Sequence, residues 1–444
     1  MAGMKSSGVE GFFDIPINWE VNRMGYVFSF GKGLSITKED LQDEGIPAVS
    51  YGDIHSRYGF EIDPAVNKLR CVDPKYQKSS PNSLLQYGDF VFADTSEDIA
   101  GSGNFTYLNS HETTFASYHT ITARAKRTVN FRYMAYLFDS EPFRTQIRNN
   151  VSGVKVFSIT QSILKNAKLL LPPLPEQYAI AAFLNDRCSK VDSIIADLGR
   201  QVEILRQYKK ALITETVTKG LVENTPMRDS GIVWIGQIPA QWDVKNLRFL
   251  GSLQNGISKD GDSFGSGFPF VSYGDVYNNF VLPAGPGGLV ESSKSERRLY
   301  SVQRGDVFFT RTSETIEEIG FASVCYETIE DATFAGFLIR FRPKSKELLP
   351  EFATYYFRAN ALRNYFVKEM MIVTRASLGQ NLLKNLPVLL PSIEEQRQIA
   401  AYLDYKCAEI DYLIAEKQRA AEKIRQYKKS LINEYATGKK RVAS

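Results

Sequence analysis

Apolar and polar positions in this chain follow two different rhythms. Between Glu176 and Val217 the apolar or small residues Leu184, Cys188, Val191, Ile195, Leu198, Val202, Leu205 and Leu212 are spaced alternately by four and three, with one skip at Lys209. That is the a/d seam of a coiled coil, narrower than the stripe of an ordinary surface helix. At about 1.5 Å per residue the predicted helix is roughly 60 Å long. The same rhythm closes the chain at Leu403, Cys407, Ile410, Ile414, Ala421, Ile424 and Leu431, departing at Lys417, where the first stretch has Leu198. Elsewhere short β-type runs alternate with turn signals. Gly88-Asp89 and Gly305-Asp306 each precede a β-like segment, FVFAD and VFFTR, and residues 131–150 and 351–370 have helical periodicity.

The chain repeats itself. Ile15-Pro16-Ile17-Asn18-Trp19 resembles Ile238-Pro239-Ala240-Gln241-Trp242, and Val49-Ser50-Tyr51-Gly52-Asp53 recurs identically at Val271-Ser272-Tyr273-Gly274-Asp275. Phe115-Ala116 recurs as Phe334-Ala335. Leu171-Pro172-Pro173-Leu174-Pro175-Glu176-Gln177 matches Leu390-Pro391-Ser392-Ile393-Glu394-Glu395-Gln396, and Gln207-Tyr208-Lys209-Lys210 returns as Gln426-Tyr427-Lys428-Lys429. From Gln177 and Gln396 onward the offset between copies holds at 219, whereas it drifts in the first part of each half. Insertions are tolerated in loops but break the register of a packed seam.

These patterns predict an α+β protein of two repeated mixed α/β domains, residues 1–172 and 223–391, separated by long helices at 173–222 and 392–444. Pro175 suits the first turn of one helix, Ser392 and Glu395 have capping-box spacing for the other, and Gly220 and Gly438 mark the ends. Equivalent helices are expected to pair antiparallel as a coiled coil, giving a pseudo-two-fold particle. A rigid spacer with a module at each end suits two half-sites on a helical polymer such as DNA.

Composition narrows the function. The net charge of +4 does not by itself argue for nucleic acid. The four cysteines form no C-x-x-C pair and there are only three histidines, so no metal site is expected; Cys188 and Cys407 read as core fillers. Neither a signal peptide nor a membrane span is predicted, and a cytoplasmic, prokaryotic setting is expected. No phosphate loop, cofactor turn or catalytic constellation is present, so the catalytic residue and cofactor assignments are both none.

The paired L-P-P-L-P-E-Q-x-x-I-A and L-P-S-I-E-E-Q-R-Q-I-A segments, with the V-S-Y-G-D, G-D-[FV]-[VF]-F and I-P-x-x-W blocks, resemble the specificity subunits of Type I restriction–modification systems. The resemblance covers nearly the whole chain. It implies two target recognition domains, each reading one half of a split double-stranded DNA site. It also implies helices that set the spacing and dock two methyltransferase subunits, with restriction/translocase subunits completing the complex. Thr214-Glu215-Thr216-Val217-Thr218 shows none of the tandem duplication by which some members tune spacing. The alternatives are the recognition part of a self-contained methyltransferase or nuclease, and a coiled-coil adaptor without DNA specificity.

DNA-contact candidates are the polar and aromatic residues on loops following repeated blocks, where the two copies diverge. In the first domain these are Tyr51, Asp53, His55, Arg57, Tyr58, Thr95 and Ser96; in the second, Tyr273, Asp275, Tyr277, Asn278, Asn279, Arg311, Thr312 and Ser313. Lys155 and Arg375 are placed to neutralise phosphates. The competing reading of the repeated Gly-Asp pairs, and of Asp53 and Asp275, is that they build turns.

Overall fold

The computed structural model describes residues 3–153, 155–313, 319–369 and 376–442, so candidate Arg375 lies outside the described residues. It divides into two units, residues 1–198 with 419–444, and residues 199–418.

In the first unit a five-stranded mixed sheet runs in the order Phe28–Lys32, Thr120–Ala125, Phe90–Ala93, Phe105–Leu108, Phe60–Ile62, with the last junction parallel. A four-stranded sheet continues the domain in the order Cys71–Val72, Ile46–Val49, Thr114–Ala116, Leu84–Leu85. Phe90, Phe92 and Phe105 pack on Phe138 of the helix Phe131–Asp139, with ring centres 4.8–5.6 Å apart. The helical run at 131–150 is broken after Asp139 and resumes as Glu141–Arg148, with a proline in its first turn.

The second unit repeats this plan. Its main sheet orders Gly251–Asn255, Leu338–Pro343, Val307–Thr310 and Ala322–Val324, all antiparallel. The parallel fifth strand of the first unit is reduced here to one bridge, Val281 to Val324.

Both long helices form, at Leu174–Lys219 and Ile393–Ala436. Gly220 (φ +78°) and Gly438 (φ +76°) end them in the left-handed conformation that glycine adopts without strain. Of the expected capping box, only the bond from the Glu395 N–H to Ser392 Oγ is present among the described bonds, at 3.2 Å. Within each unit the two helices run antiparallel. In the first, Lys428 Nζ meets Asp192 at 2.7 Å and Tyr435 packs on Phe183; in the second, Lys417 Nζ bonds Gln201 at 2.6 Å and Lys209 Nζ meets Asp411 at 2.6 Å. No described helix is long and apolar enough to cross a membrane.

Burial along the seam is uneven. Leu184, Val191, Val202, Leu403, Ile410 and Leu431 are buried, whereas Ile195, Leu198, Leu205, Ile414 and Ile424 are only half-buried. Leu184, Leu403 and Leu431 join the domain cores, whereas Val191, Val202 and Ile410 are buried outside those cores. Leu212 is half-buried as well. After the skip at Lys209 the buried line passes to Ile213, Thr216 and Val217, because the helix there joins the second domain's core.

The repeated motifs join helices to domains. Gln177 is buried at the start of the first helix: its Nε2 donates to Pro172 O at 2.9 Å, and its Oε1 accepts from the Asn130 N–H at 2.9 Å. Gln396 does the same with Pro391 O at 3.0 Å and the Leu349 N–H at 2.9 Å, and adds Glu347 O at 2.8 Å. The far helix ends seat on the tryptophans of the I-P-x-x-W blocks, both 1% exposed. A Cβ at Gly438 would come within 3.0 Å of the Trp19 ring, and one at Gly220 within 3.3 Å of Trp242.

Candidate nucleic-acid interface

The V-S-Y-G-D blocks do not lead into loops, as expected from sequence, but into short capped helices, Tyr51–Ser56 and Tyr273–Asn278. In each the serine N–H donates to the aspartate three residues on, at 3.0 Å for Ser50–Asp53 and 2.8 Å for Ser272–Asp275. The aspartate N–H returns a bond to the serine hydroxyl. Both carboxylates are therefore committed to helix starts, and Asp53 is 7% exposed. They are poor candidates for base contacts.

The Gly-Asp blocks are turns. Gly88 (φ +84°) and Gly305 (φ +91°) take the left-handed conformation. Asp89 accepts from the Gln86 N–H at 2.8 Å and from Arg124 at 2.6 Å; Asp306 accepts from the Gln303 N–H at 2.8 Å and from Arg342 at 2.5 Å. What the two copies share is thus spent on holding the scaffold.

What differs lies beside it. In the first domain a cleft of about 760 Å³ gathers Tyr51, His55, Thr95 and Ser96 from the expected set. Asn104, His119 and Glu97 join them, none singled out from sequence. The signal that marks His119 in the sequence is its place just after the repeated Phe115-Ala116 block. Its backbone is left-handed, at φ +55°, and its Nδ1 lies 3.2 Å from Asp94.

His55 is fixed by a chain of bonds. Arg144 donates to Asn104 Oδ1 at 2.7 Å, Asn104 Nδ2 lies 2.9 Å from His55 Nδ1, and His55 Nε2 lies 2.8 Å from Thr95 O. The tautomer carrying its proton on Nε2 satisfies all three. Tyr51 packs edge-on against His55, Tyr118 and His119. Ser96 is buried and bonds Asp98 O at 2.7 Å, so it shapes the loop rather than facing outward. Arg57 and Lys155 are exposed and lie outside the cleft lining, and Tyr58 is held to Lys68 O at 3.1 Å.

The second domain is built differently. Tyr273 stacks on Tyr277 with centres 5.8 Å apart and donates to Thr312 O at 3.0 Å. Asn279 Nδ2 bonds Asp275 O at 2.8 Å; Asn278 is exposed, Arg311 and Thr312 are half-buried, and Ser313 is buried. The missed residue is Arg358. Its guanidinium lies over the rings of Phe280 and Phe321, and it donates to the carbonyls of Val276, Tyr277 and Asn279 at 2.7–3.1 Å. Burial lowers its pKa to about 10. A cation on these carbonyls fixes the C-terminal end of the helix Tyr273–Asn278. Nothing around Arg358 in the sequence marks this role, which is made by tertiary packing.

Among the described residues no group of His, Cys, Asp and Glu is arranged to hold a metal ion. The first domain's cleft and the second domain's surface around Tyr273 and Tyr277 can instead offer donors, acceptors and flat rings to a partner surface.

The family model of the Type I restriction modification DNA specificity domain matches the chain twice, at residues 16–203 and 239–422. The chain belongs to this family. The specificity subunit of the type I restriction enzyme EcoKI from Escherichia coli K12 is 23% identical over 436 residues, covering 94% of this chain and 88% of that protein. The putative MjaX specificity subunit of Methanocaldococcus jannaschii is 25% identical over 442 residues, covering 97% and 95%. A solved chain from work on assembly and conformational transition of the type I R-M system aligns with a TM-score of 0.69 at 18% identity, over 95% of this chain and 98% of that one. Its likeness concerns the fold. This specificity subunit is accordingly the DNA-recognition component of a type I system and not its catalytic one. Its fold class is the expected one, two repeated mixed α/β domains with two long helices.

Proposed function

We propose that each domain of this specificity subunit reads one half of a split double-stranded DNA site. Residues 1–172 and 223–391 are the readers, and 173–222 and 392–444 the spacer between them. One observation carries the reading: the shared V-S-Y-G-D, Gly-Asp and Pro-Glu-Gln/Glu-Glu-Gln blocks are consumed by capping, turns and helix anchoring, while the surfaces beside them carry different chemistry. The first domain offers imidazoles, hydroxyls and an amide; the second offers stacked tyrosines and an arginine-braced helix. Two readers on one scaffold need such a division, because phosphate contacts position a protein and base-edge contacts specify sequence.

A second pattern supports docking of two copies of one partner, the methyltransferase subunits, with restriction subunits joining the complex. Four exposed apolar residues recur at equivalent places in both copies: Met4 and Met227, Tyr26 and Phe249, Ile194 and Leu413, Tyr208 and Tyr427. Core packing does not account for them, since each is 40% exposed or more.

The test is an exchange of residues 11–172 for the corresponding region of another specificity subunit, followed by mapping of methylated sites in cells with the matching methyltransferase. One half-site should change while the other half-site and the spacing stay. Change in both halves, or in neither, removes the reading.

A further inference from the structure

The second domain holds a cleft that its DNA-contact candidates do not line. It measures about 970 Å³ and lies beside the helix Lys294–Leu299 and the strand Leu338–Pro343. Four cations line it, Lys294, Arg297, Arg298 and Arg340, against two carboxylates, Glu330 and Asp331. Asp331 is spent on Arg297 Nε at 2.9 Å, and Arg297 also sits over the Phe268 ring. Lys294 and Arg298 are exposed, and neither has a carboxylate partner among the described residues.

Arg340 is the unusual member. It is 5% exposed, its guanidinium donates to Ser301 O at 2.6 Å and to the Gln254 side chain, and its Nε has no partner. No carboxylate touches it. The neighbouring Arg342 takes Asp306 instead. Burial outweighs the attraction of nearby Asp306, which is bonded to Arg342, and lowers the pKa of Arg340 to about 10. A desolvated cation of this kind is costly unless an anion approaches it. In the first domain the matching place is Thr122, paired with Val91 as Arg340 is paired with Phe308, so the feature belongs to one domain only.

We propose that this cleft takes a phosphate group of the DNA backbone, with Lys294 and Arg298 donating to its oxygens and the buried Arg340 supplying the field. The proposal rests on the DNA-reading function above. Backbone phosphate fits better than a base edge, because four cations outnumber the two amides, Gln254 and Gln303, and the amide of Gln254 is already taken by Arg340. The second domain would then hold register by a contact that the first domain lacks.

The experiment uses the full chain with Lys294→Ala and Arg298→Ala combined, both on the surface and outside every core cluster. DNA affinity is measured from low to physiological salt for cognate and unrelated duplexes, and inorganic phosphate is titrated separately by calorimetry. The slope of log affinity against log salt should become shallower by about 1 for both duplexes, the share of one phosphate. The preference between duplexes should be unchanged, and phosphate binding should be lost. An unchanged slope overturns the proposal, including the case in which only free-phosphate binding disappears, which assigns the cleft to a small anion. If the unaltered chain shows no salt-dependent DNA binding at all, the DNA-reading function fails together with the cleft. A normal slope in both proteins sinks the cleft alone.

Discussion

Replacing Gln396 by alanine isolates the contact that ties the second long helix to its domain. The side chain is fully buried and makes three bonds: to Pro391 O, to Glu347 O and from the Leu349 N–H. Alanine leaves two carbonyls and one N–H without partners, each worth about 1–3 kcal/mol when buried. A water entering the vacated space can restore part of this, so the net cost should be about 3–6 kcal/mol. Gln177 in the first unit satisfies only two such groups, so its alanine variant should cost less, about 2–4 kcal/mol. At about 2–4 °C per kcal/mol for units of this size, Gln396→Ala should lower the transition of its own unit by at least roughly 6 °C. Calorimetry reads the loss, and hydrogen exchange at the amides of residues 130 and 349 localises it. Gln396→Glu keeps the acceptor for Leu349 but sets a carboxylate against two carbonyls. It should be at least as damaging at neutral pH, and recover as acid protonates it. A Gln396→Ala protein within about 0.5 kcal/mol of the original, or a Gln177→Ala change that costs more than it, would refute the reasoning.

Further outcomes follow from other contacts. Arg358→Gln removes a cation from several carbonyls and should cost about 2–4 kcal/mol; methylation mapping should show relaxed choice only in the half-site read by the second domain. The Lys209–Asp411 pair, whose aspartate is 59% exposed, should show a coupling of about 0.5 kcal/mol in a double-mutant cycle, fading in high salt; a coupling beyond about 2 kcal/mol would contradict it. Burial pushes the Cys407 thiol up to about 11 and Cys325 up to about 12, so both stay protonated at pH 8. A thiol reagent at that pH should label the half-buried Cys71 first, with Cys407 labelling faster as pH rises toward 11; early labelling of Cys407 at pH 8 would count against the buried seam.

The sequence by itself determined the long helices, their repeat and which segments the two copies share. Those signals are local. A four-three seam, a proline in a first turn and a glycine after the last turn act over a few residues and need no partner to be read. The Gly-Asp turns and the capping aspartates Asp53 and Asp275 belong to the same class, since their bonds close within three residues. Tertiary structure decided what each repeated glutamine and tryptophan is for, since Gln396 meets Leu349, and Trp19 meets Gly438, across long stretches of chain. It also decided which seam positions are dry: Ile213 and Val217 are sealed in the second domain's core, Val191, Val202 and Ile410 are buried outside the domain cores, and Leu198 is only half-buried. The bracing of the candidate surfaces lay beyond the sequence for the same reason: Arg144 reaches His55 through Asn104, and Arg358 reaches the helix Tyr273–Asn278, by contacts that only the folded chain brings within hydrogen-bond range.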